Sequence, residues 1–190
     1  MIKYFQNSSG FFKTQLVSNE SLISGVSNFD FGREEFELFT DVQLGIPERL
    51  MLGKRAERYF SEWLKRSSNF ELIAENIQVI DKKRTLGEFD FILRRNSDGQ
   101  LIHVELVYKF YLFDPAVEGS ELEHWIGPNR GDQLDFKLDK LQNHQFPLLN
   151  SDAAQNKLNE LKIDTSNIEQ QVLFLVNLFV PADEQTRFIK

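Results

Sequence analysis

The residues best suited to chemistry lie between Leu86 and Phe113, in "LGEFDFILRRNSDGQLIHVELVYKFYLF". Two alternating apolar segments flank an Asp-Gly turn, the pattern of two β-strands joined in a hairpin. Asp90, Glu105 and Lys109 sit inside those strands, where a plain hairpin carries apolar or neutral side chains. Two carboxylates from neighbouring strands can hold Mg²⁺ or Mn²⁺, hard ions that take oxygen ligands and keep waters for a substrate phosphate to displace. A lysine beside them would stabilise charge growing on that phosphate or help position the attacking water. Lys109 shares the strand face of Glu105, because residues an even number apart point the same way. Glu57, at the edge of an apolar helical stripe, is the candidate for a third acid. A different account is equally open: on a solvated sheet face one acid and one lysine make an ordinary pair. His103 shares the face of Glu105 and reads as a polar surface or core residue, Glu88 as a cap on the turn after Gly87, and Glu62 as solvent-facing.

These side chains need elements to hold them. Leu52, Ala56, Tyr59, Phe60 and Trp63 recur at helical spacing after Pro47, so a helix carrying Glu57 is expected, ending near "RSSN". "FELIAENIQVI" from Phe70 is a strand, and the two strands of the hairpin follow it. In the first hairpin strand Phe89, Phe91 and Leu93 are expected to face one way and Glu88, Asp90 and Ile92 the other. In the second, Ile102, Val104, Leu106, Tyr108, Phe110 and Leu112 form an apolar face. Asp132 is the expected N-cap of a further helix through Leu134, Leu138, Leu141 and Gln145, with Lys137 and Lys140 on its flank and Pro147 as its stop. A weaker helix over 151–161 leads to "QQVLFLVNLFV", whose continuous apolar run fits a buried central strand. Helix, three strands, one or two helices and a strand make a mixed α/β (α+β) domain, a central mixed sheet flanked by helices. Residues 1–45 hold seven of the 18 phenylalanines, including Phe29, Phe31, Phe36 and Phe39, without a clean period. They are read as an extension packed on the main domain, residues 46–190.

Composition narrows the setting. A chain of 190 residues that is 41% hydrophobic has enough material for one core. The net charge of −7 excludes coating of nucleic acid by charge alone and leaves room for a local basic groove. Basic residues do cluster at Lys54, Arg55 and Arg58, at Lys82, Lys83 and Arg84, and at Arg94 and Arg95. With no cysteine, any metal is held by oxygen or imidazole. The longest apolar run, Val172 to Val180, is too short for a membrane span and "MIKYFQNSSGFFK" lacks a signal peptide's apolar segment, so a cytoplasmic, non-membrane protein is expected.

The succession "LGKRAERYFSEWL", a strand, "GEFDFIL" and "IHVELVYKF" resembles the PD-(D/E)XK phosphodiesterase superfamily, the restriction-endonuclease-like fold. By that resemblance Glu57, Asp90 and Glu105 match the metal-ligand set for Mg²⁺ or Mn²⁺, and nucleic acid is the implied substrate. "GEFDFILR", "HVELVYKFYL" and "GPNRGDQLDFKLDKL" are more closely similar to the bacterial domain-of-unknown-function family numbered 1853. The superfamily's acid and lysine usually stand two residues apart, but here Val107 takes the lysine position and Lys109 follows about 7 Å further along the strand. Lys137 on the next helix is therefore a second candidate for the phosphate contact. The resemblance implies a metal-dependent nuclease, with Lys109 countering transition-state charge. The displaced lysine keeps a second expectation open, a catalytically silent module that binds nucleic acid or a protein.

Overall fold

The apolar stripe after Pro47 folds as a helix, α1 (Leu52–Leu64), and buries Ala56, Tyr59, Phe60, Trp63 and Leu64 on one side. Serine and asparagine end it: Ser67 Oγ accepts from the N–H groups of Asn69 and Phe70 and turns the chain into the sheet. The computed structural model describes residues 22–30, 47 and 49–182. Its strands are β1 (Ser27–Asn28), β2 (Phe70–Asp81), β3 (Arg84–Arg95), β4 (Leu101–Phe113), β5 (Trp125–Ile126) and β6 (Glu169–Phe179). Helices α2 (Leu134–Lys140) and α3 (Asp152–Glu160) lie between β5 and β6, joined by a π-turn over Leu141–Gln145 and a 3₁₀ turn over Pro147–Asn150.

The six strands form one mixed sheet in the order β1-β6-β4-β3-β2, with β5 added to β4. β2, β3 and β4 are successive antiparallel neighbours, whereas β6 runs parallel to β4 and β1 parallel to β6. A strand flanked on both sides and covered on both faces must be apolar throughout, and Val172 to Val176 of β6 are all buried. The expected mixed α/β architecture with a central mixed sheet is what forms.

α1 covers one face of the sheet, packing on Phe91, Leu93, Ile102, Val104, Leu106, Tyr108, Leu173 and Leu175. The other face is covered in two parts. Leu134, Leu138, Leu141 and Phe146 pack on Val107, Tyr111 and Phe113, and Leu149, Ala154 and Leu158 pack on Ile77, Val79, Phe89 and Ile92. Phe89 thus lies on the face opposite Phe91 and Leu93, correcting the simple alternation expected for β3. The change-over falls at Asp90, where β3 leaves β4 and is free to twist away from it.

Two end signals also play out differently. Gln133 occupies the N-cap of α2 without a side-chain bond, because Asp132 is engaged by Lys109. Pro147 does not end the helical path; it takes the first position of the 3₁₀ turn, where a missing N–H costs nothing. Of the phenylalanine-rich extension, Phe29 is buried edge-on to Phe60 at 5.5 Å between ring centroids, beside β1. Phe31, Phe36 and Phe39 lie outside the described residues. Among the described residues no helix is long and apolar enough to cross a membrane.

Candidate acidic site at a strand fork

β3 and β4 are paired over only four residues of each strand, from Arg94↔Leu101 to Phe91↔Val104. Past that point β3 continues with β2 and β4 with β6, so the sheet forks. The first residue beyond the pairing is Asp90 on one prong and Glu105 on the other. A fork leaves backbone groups without a ladder partner, and the Asp90 carboxylate repairs one of them by accepting the Leu106 N–H at 2.9 Å.

Glu105 is fully buried. His103 Nε2 lies 2.9 Å from Glu105 Oε1, and Gln145 Nε2 donates to Glu105 Oε2. The surrounding bonds fix the histidine tautomer. Gln170 Nε2 donates to the Phe146 carbonyl at 2.9 Å, and a carbonyl can only accept, so the same nitrogen also donates to His103 Nδ1 at 3.2 Å. His103 therefore carries its proton on Nε2 and gives it to Glu105. The π-turn contributes directly, since its wider spacing brings Gln145 toward the sheet, where it also accepts from Lys137 Nζ at 2.8 Å.

Burial and the neighbouring Glu105 push the Asp90 carboxyl up to about 8; Glu57 adds to the rise, while the Leu106 N–H and Lys137 oppose it. Burial lowers the Lys137 ammonium from its usual value, and Glu105 and Asp90 hold it up. Glu57 is raised by burial and, more weakly, by Glu88 and Glu105, against the lowering effect of Lys54. Three acids therefore feel one another across the fork, with one half-buried lysine beside them.

Glu57 stands at the outer rim. Lys54 Nζ bridges Glu57 at 2.6 Å and Glu88 at 3.3 Å. The Asn76 amide, turned with its nitrogen toward the acids, donates to both at 3.2 Å. Asn76 holds φ at +54 on β2, between the Glu75↔Phe91 and Ile77↔Phe89 pairs and so opposite Asp90. A non-glycine residue there is a local strain retained at the site. Leu50, Lys54, Glu57, Arg58, Glu75 and Asn76 line an adjoining cleft of about 280 Å³.

The structure thus brings together Glu57, Asp90, Glu105 and Lys137 of the sequence candidates. Lys109 is separately engaged, its Nζ 2.7 Å from Asp132. The solvated-face account does not hold for Glu105, which is buried and partnered by His103 rather than by Lys109. Residues with larger roles than expected are Glu88, His103, Gln145, Asn76 and Gln170. Gln145 left a trace in the sequence as the polar member continuing the Leu134, Leu138, Leu141 stripe. Glu88 left one as the acid two residues before Asp90.

Among the described residues no group of three or more His, Asp or Glu side chains is arranged to hold a metal ion. Glu57 is held on Lys54, which leaves the fork pair. Two carboxylates with waters and a substrate phosphate are a usual Mg²⁺ environment, so the donor types at Asp90 and Glu105 fit a hard divalent cation. Burial first, and then repulsion from Glu105, raise Asp90, and a cation held by the two acids would relieve the second of these.

Fold and site define a mixed α/β domain with an acid pair, Glu105 buried and Asp90 half-buried, at a fork in its sheet. The family described as a domain of unknown function (DUF1853) matches residues 33–188, and the chain belongs to that family. Searches of curated proteins and of solved structures gave no match.

Proposed function

We propose that this protein is a phosphodiesterase of the restriction-endonuclease-like kind that cuts nucleic acid with Mg²⁺ or Mn²⁺ bound at Asp90 and Glu105. The observation that carries the reading is the Asp90–Glu105 pair at the fork, with Glu105 buried and Asp90 half-buried, in which Asp90 is raised to about 8 and no ion pair among the described residues neutralises it. Below about 8 the Asp90 carboxyl keeps its proton, and a divalent cation bound at the pair would displace that proton and let both acids ionise. When bound, the ion would polarise a phosphoryl oxygen and make a water acidic enough to attack. The chain's own residues do the rest. His103 and Gln145 fix the orientation of Glu105, the Leu106 N–H fixes Asp90, and Lys137 supplies positive charge next to the acids. Glu57 and Glu88 form the rim, with Lys54 between them. Lys109 is the second cation on this side, held ready on Asp132.

One observation favours the second reading, a silent binding module. Both oxygens of Glu105 already have donors, and Glu57 is taken by Lys54. Calorimetric titration of the purified chain with Mn²⁺ separates the two. Binding by the wild type that is lost in Glu105→Gln, with cutting of labelled single-stranded, duplex or branched substrates in Mg²⁺ or Mn²⁺ but not in a chelator, is the expected result. Nucleic-acid binding with no cutting in either metal hands the case to the silent module. Absence of both Mn²⁺ uptake and nucleic-acid binding rejects the phosphodiesterase and leaves a silent module that binds a protein.

A further inference from the structure

We infer that the tip of the β2–β3 hairpin is an arm that grips the phosphate backbone of the nucleic acid, a proposal that rests on the phosphodiesterase reading and extends it to how the substrate is held. Residues 80–86 of this hairpin are all exposed. Gly87 marks where the hairpin leaves the core, because Leu148 sits 2.7 Å from the place a side chain would begin. Beyond it Lys82, Lys83 and Arg84 follow one another, with Lys82 in the left-handed turn at φ +53.

The other cations of this hairpin are neutralised, Arg94 by Glu71 and Arg95 by Asp98 and Glu169, and Lys54 beside it by Glu57 and Glu88. None of Lys82, Lys83 and Arg84 has an ion pair among the described residues. Three adjacent cations repel one another, and a chain of net charge −7 has acids to spare for pairing them. Their placement on a projecting tip points to an anionic partner outside the chain. The tip is also tied to the site by one continuous strand. At about 3.3 Å per residue, Arg84 lies roughly 13 Å from Glu88 and roughly 20 Å from Asp90 along β3. The longer distance is about six steps of a duplex at 3.4 Å each. A further cation without an ion pair among the described residues, Arg58, lines the cleft beside Glu57. Cations thus stand apart from one another with acids between them, a spacing suited to a repeating polyanion rather than to a single small phosphate.

Exposed Ile80 and Leu86 flank the cations, so the same tip has the composition of an anionic-membrane contact, and the test includes that outcome. The experiment compares the full chain with the triple variant Lys82→Ala/Lys83→Ala/Arg84→Ala. Fluorescence anisotropy with a labelled 30-base-pair duplex and a 30-nucleotide strand, in chelator to prevent cutting, is run from 50 to 300 mM salt. Vesicles containing about one third phosphatidylserine form a parallel arm. All three side chains are exposed, so melting temperature and Mn²⁺ uptake should match the wild type and certify the fold. The expected result is a 10- to 100-fold loss of nucleic-acid affinity near 100 mM salt, with a slope of log K against log salt shallower by about 2 to 3. Unchanged affinity and slope, in a wild type that binds nucleic acid, overturns the arm and leaves the proposed function standing. Tip-dependent vesicle binding without nucleic-acid binding overturns it in favour of a membrane contact. A wild type that takes up Mn²⁺ but binds neither probe overturns it as well.

Discussion

Both faces of β4 are buried from Ile102 to Tyr108, yet they are built from different chemistry. Toward α1 the strand presents Ile102, Val104, Leu106 and Tyr108, which pack on Phe60, Trp63 and Phe91. Toward α2 and its π-turn it presents His103 and Glu105 before the apolar Val107, Tyr111 and Phe113 resume. The first face stabilises by removing apolar area from water; the second spends part of its burial on holding a carboxylate. Breaking the first face should have the largest effect on stability. Phe60 is 1% exposed, edge-on to Phe91 at 4.9 Å and stacked on Trp63 at 5.6 Å. Phe60→Ala is expected to cost about 3–5 kcal/mol in urea unfolding, with Mn²⁺ uptake unchanged wherever the variant remains folded. A cost below about 1 kcal/mol would show that α1 is not a main pillar of the core.

The polar face responds through its bonds rather than through volume alone. His103→Ala removes the donor to Glu105 Oε1, the acceptor for Gln170, and ring contacts with Phe89 and Phe146. A loss of about 2–4 kcal/mol is expected, because the buried Glu105 and the half-buried Gln170 are each left one partner short. A double-mutant cycle with Glu105→Gln should show a coupling of about 1–3 kcal/mol. Additive effects would mean that His103 packs without positioning Glu105.

The contrast between the faces also explains what could be read ahead of the structure. α1 and the four long strands were legible because their signals are local: a stripe at three- and four-residue spacing, or a short β-rich run between turn residues. The candidates Glu57, Asp90 and Glu105 were legible as acids out of place among apolar neighbours. Whether Glu105 met solvent or protein was not, since that depends on β6, more than 60 residues later, pairing with β4 and opening the fork. The same non-local geometry hid the reversal at Phe89 and the role of Gln145, which reaches Glu105 only because the chain widens into a π-turn before Pro147. Asp132 is a fair N-cap by residue type, but Lys109 claims its carboxylate in three dimensions.

Asp90 sharpens the comparison by making the functional cost of the polar face visible in pH. Its carboxyl is raised from the ordinary value to about 8 in the folded protein by burial and by Glu105. Below the ordinary carboxylate range both folded and unfolded chains hold the proton, and the group's contribution is fully present. As pH rises toward 8 the unfolded chain releases its proton first, so stability falls through that interval and levels off above it. Asp90→Asn keeps an acceptor for the Leu106 N–H but has no proton to lose. In chelator it should therefore match the wild type near pH 4 and exceed it by about 1–3 kcal/mol near pH 8. Saturating Mn²⁺ should reverse the order at pH 8, because only the wild type gains binding energy. A difference that stays constant across pH would remove Asp90 as the strained member of the pair.

The smallest stability effect is expected from the lysines, and they divide the site most finely. Lys109 is part-exposed and paired with Asp132 at 2.7 Å, so Lys109→Ala should change stability by no more than about 1 kcal/mol. Lys137 is deeper, bonded to Gln145 and close enough to Asp90 and Glu105 for both acids to hold its ammonium up. If Lys137 supplies the charge that the reaction needs, Lys137→Ala should cut the rate of strand cleavage by about a hundredfold or more while nucleic-acid binding changes little. Lys109→Ala should then leave cleavage within a few-fold of the wild type. The opposite ranking would show that Lys109 leaves Asp132 when substrate arrives and takes the lysine role that its place on the strand of Glu105 implies. Equal and large losses would mean that the two ammonium groups act on one phosphate together, which a Lys109→Ala/Lys137→Ala double variant would report as strongly non-additive. The single variants and the double variant, compared at saturating substrate, thus decide which side of the fork carries the positive charge.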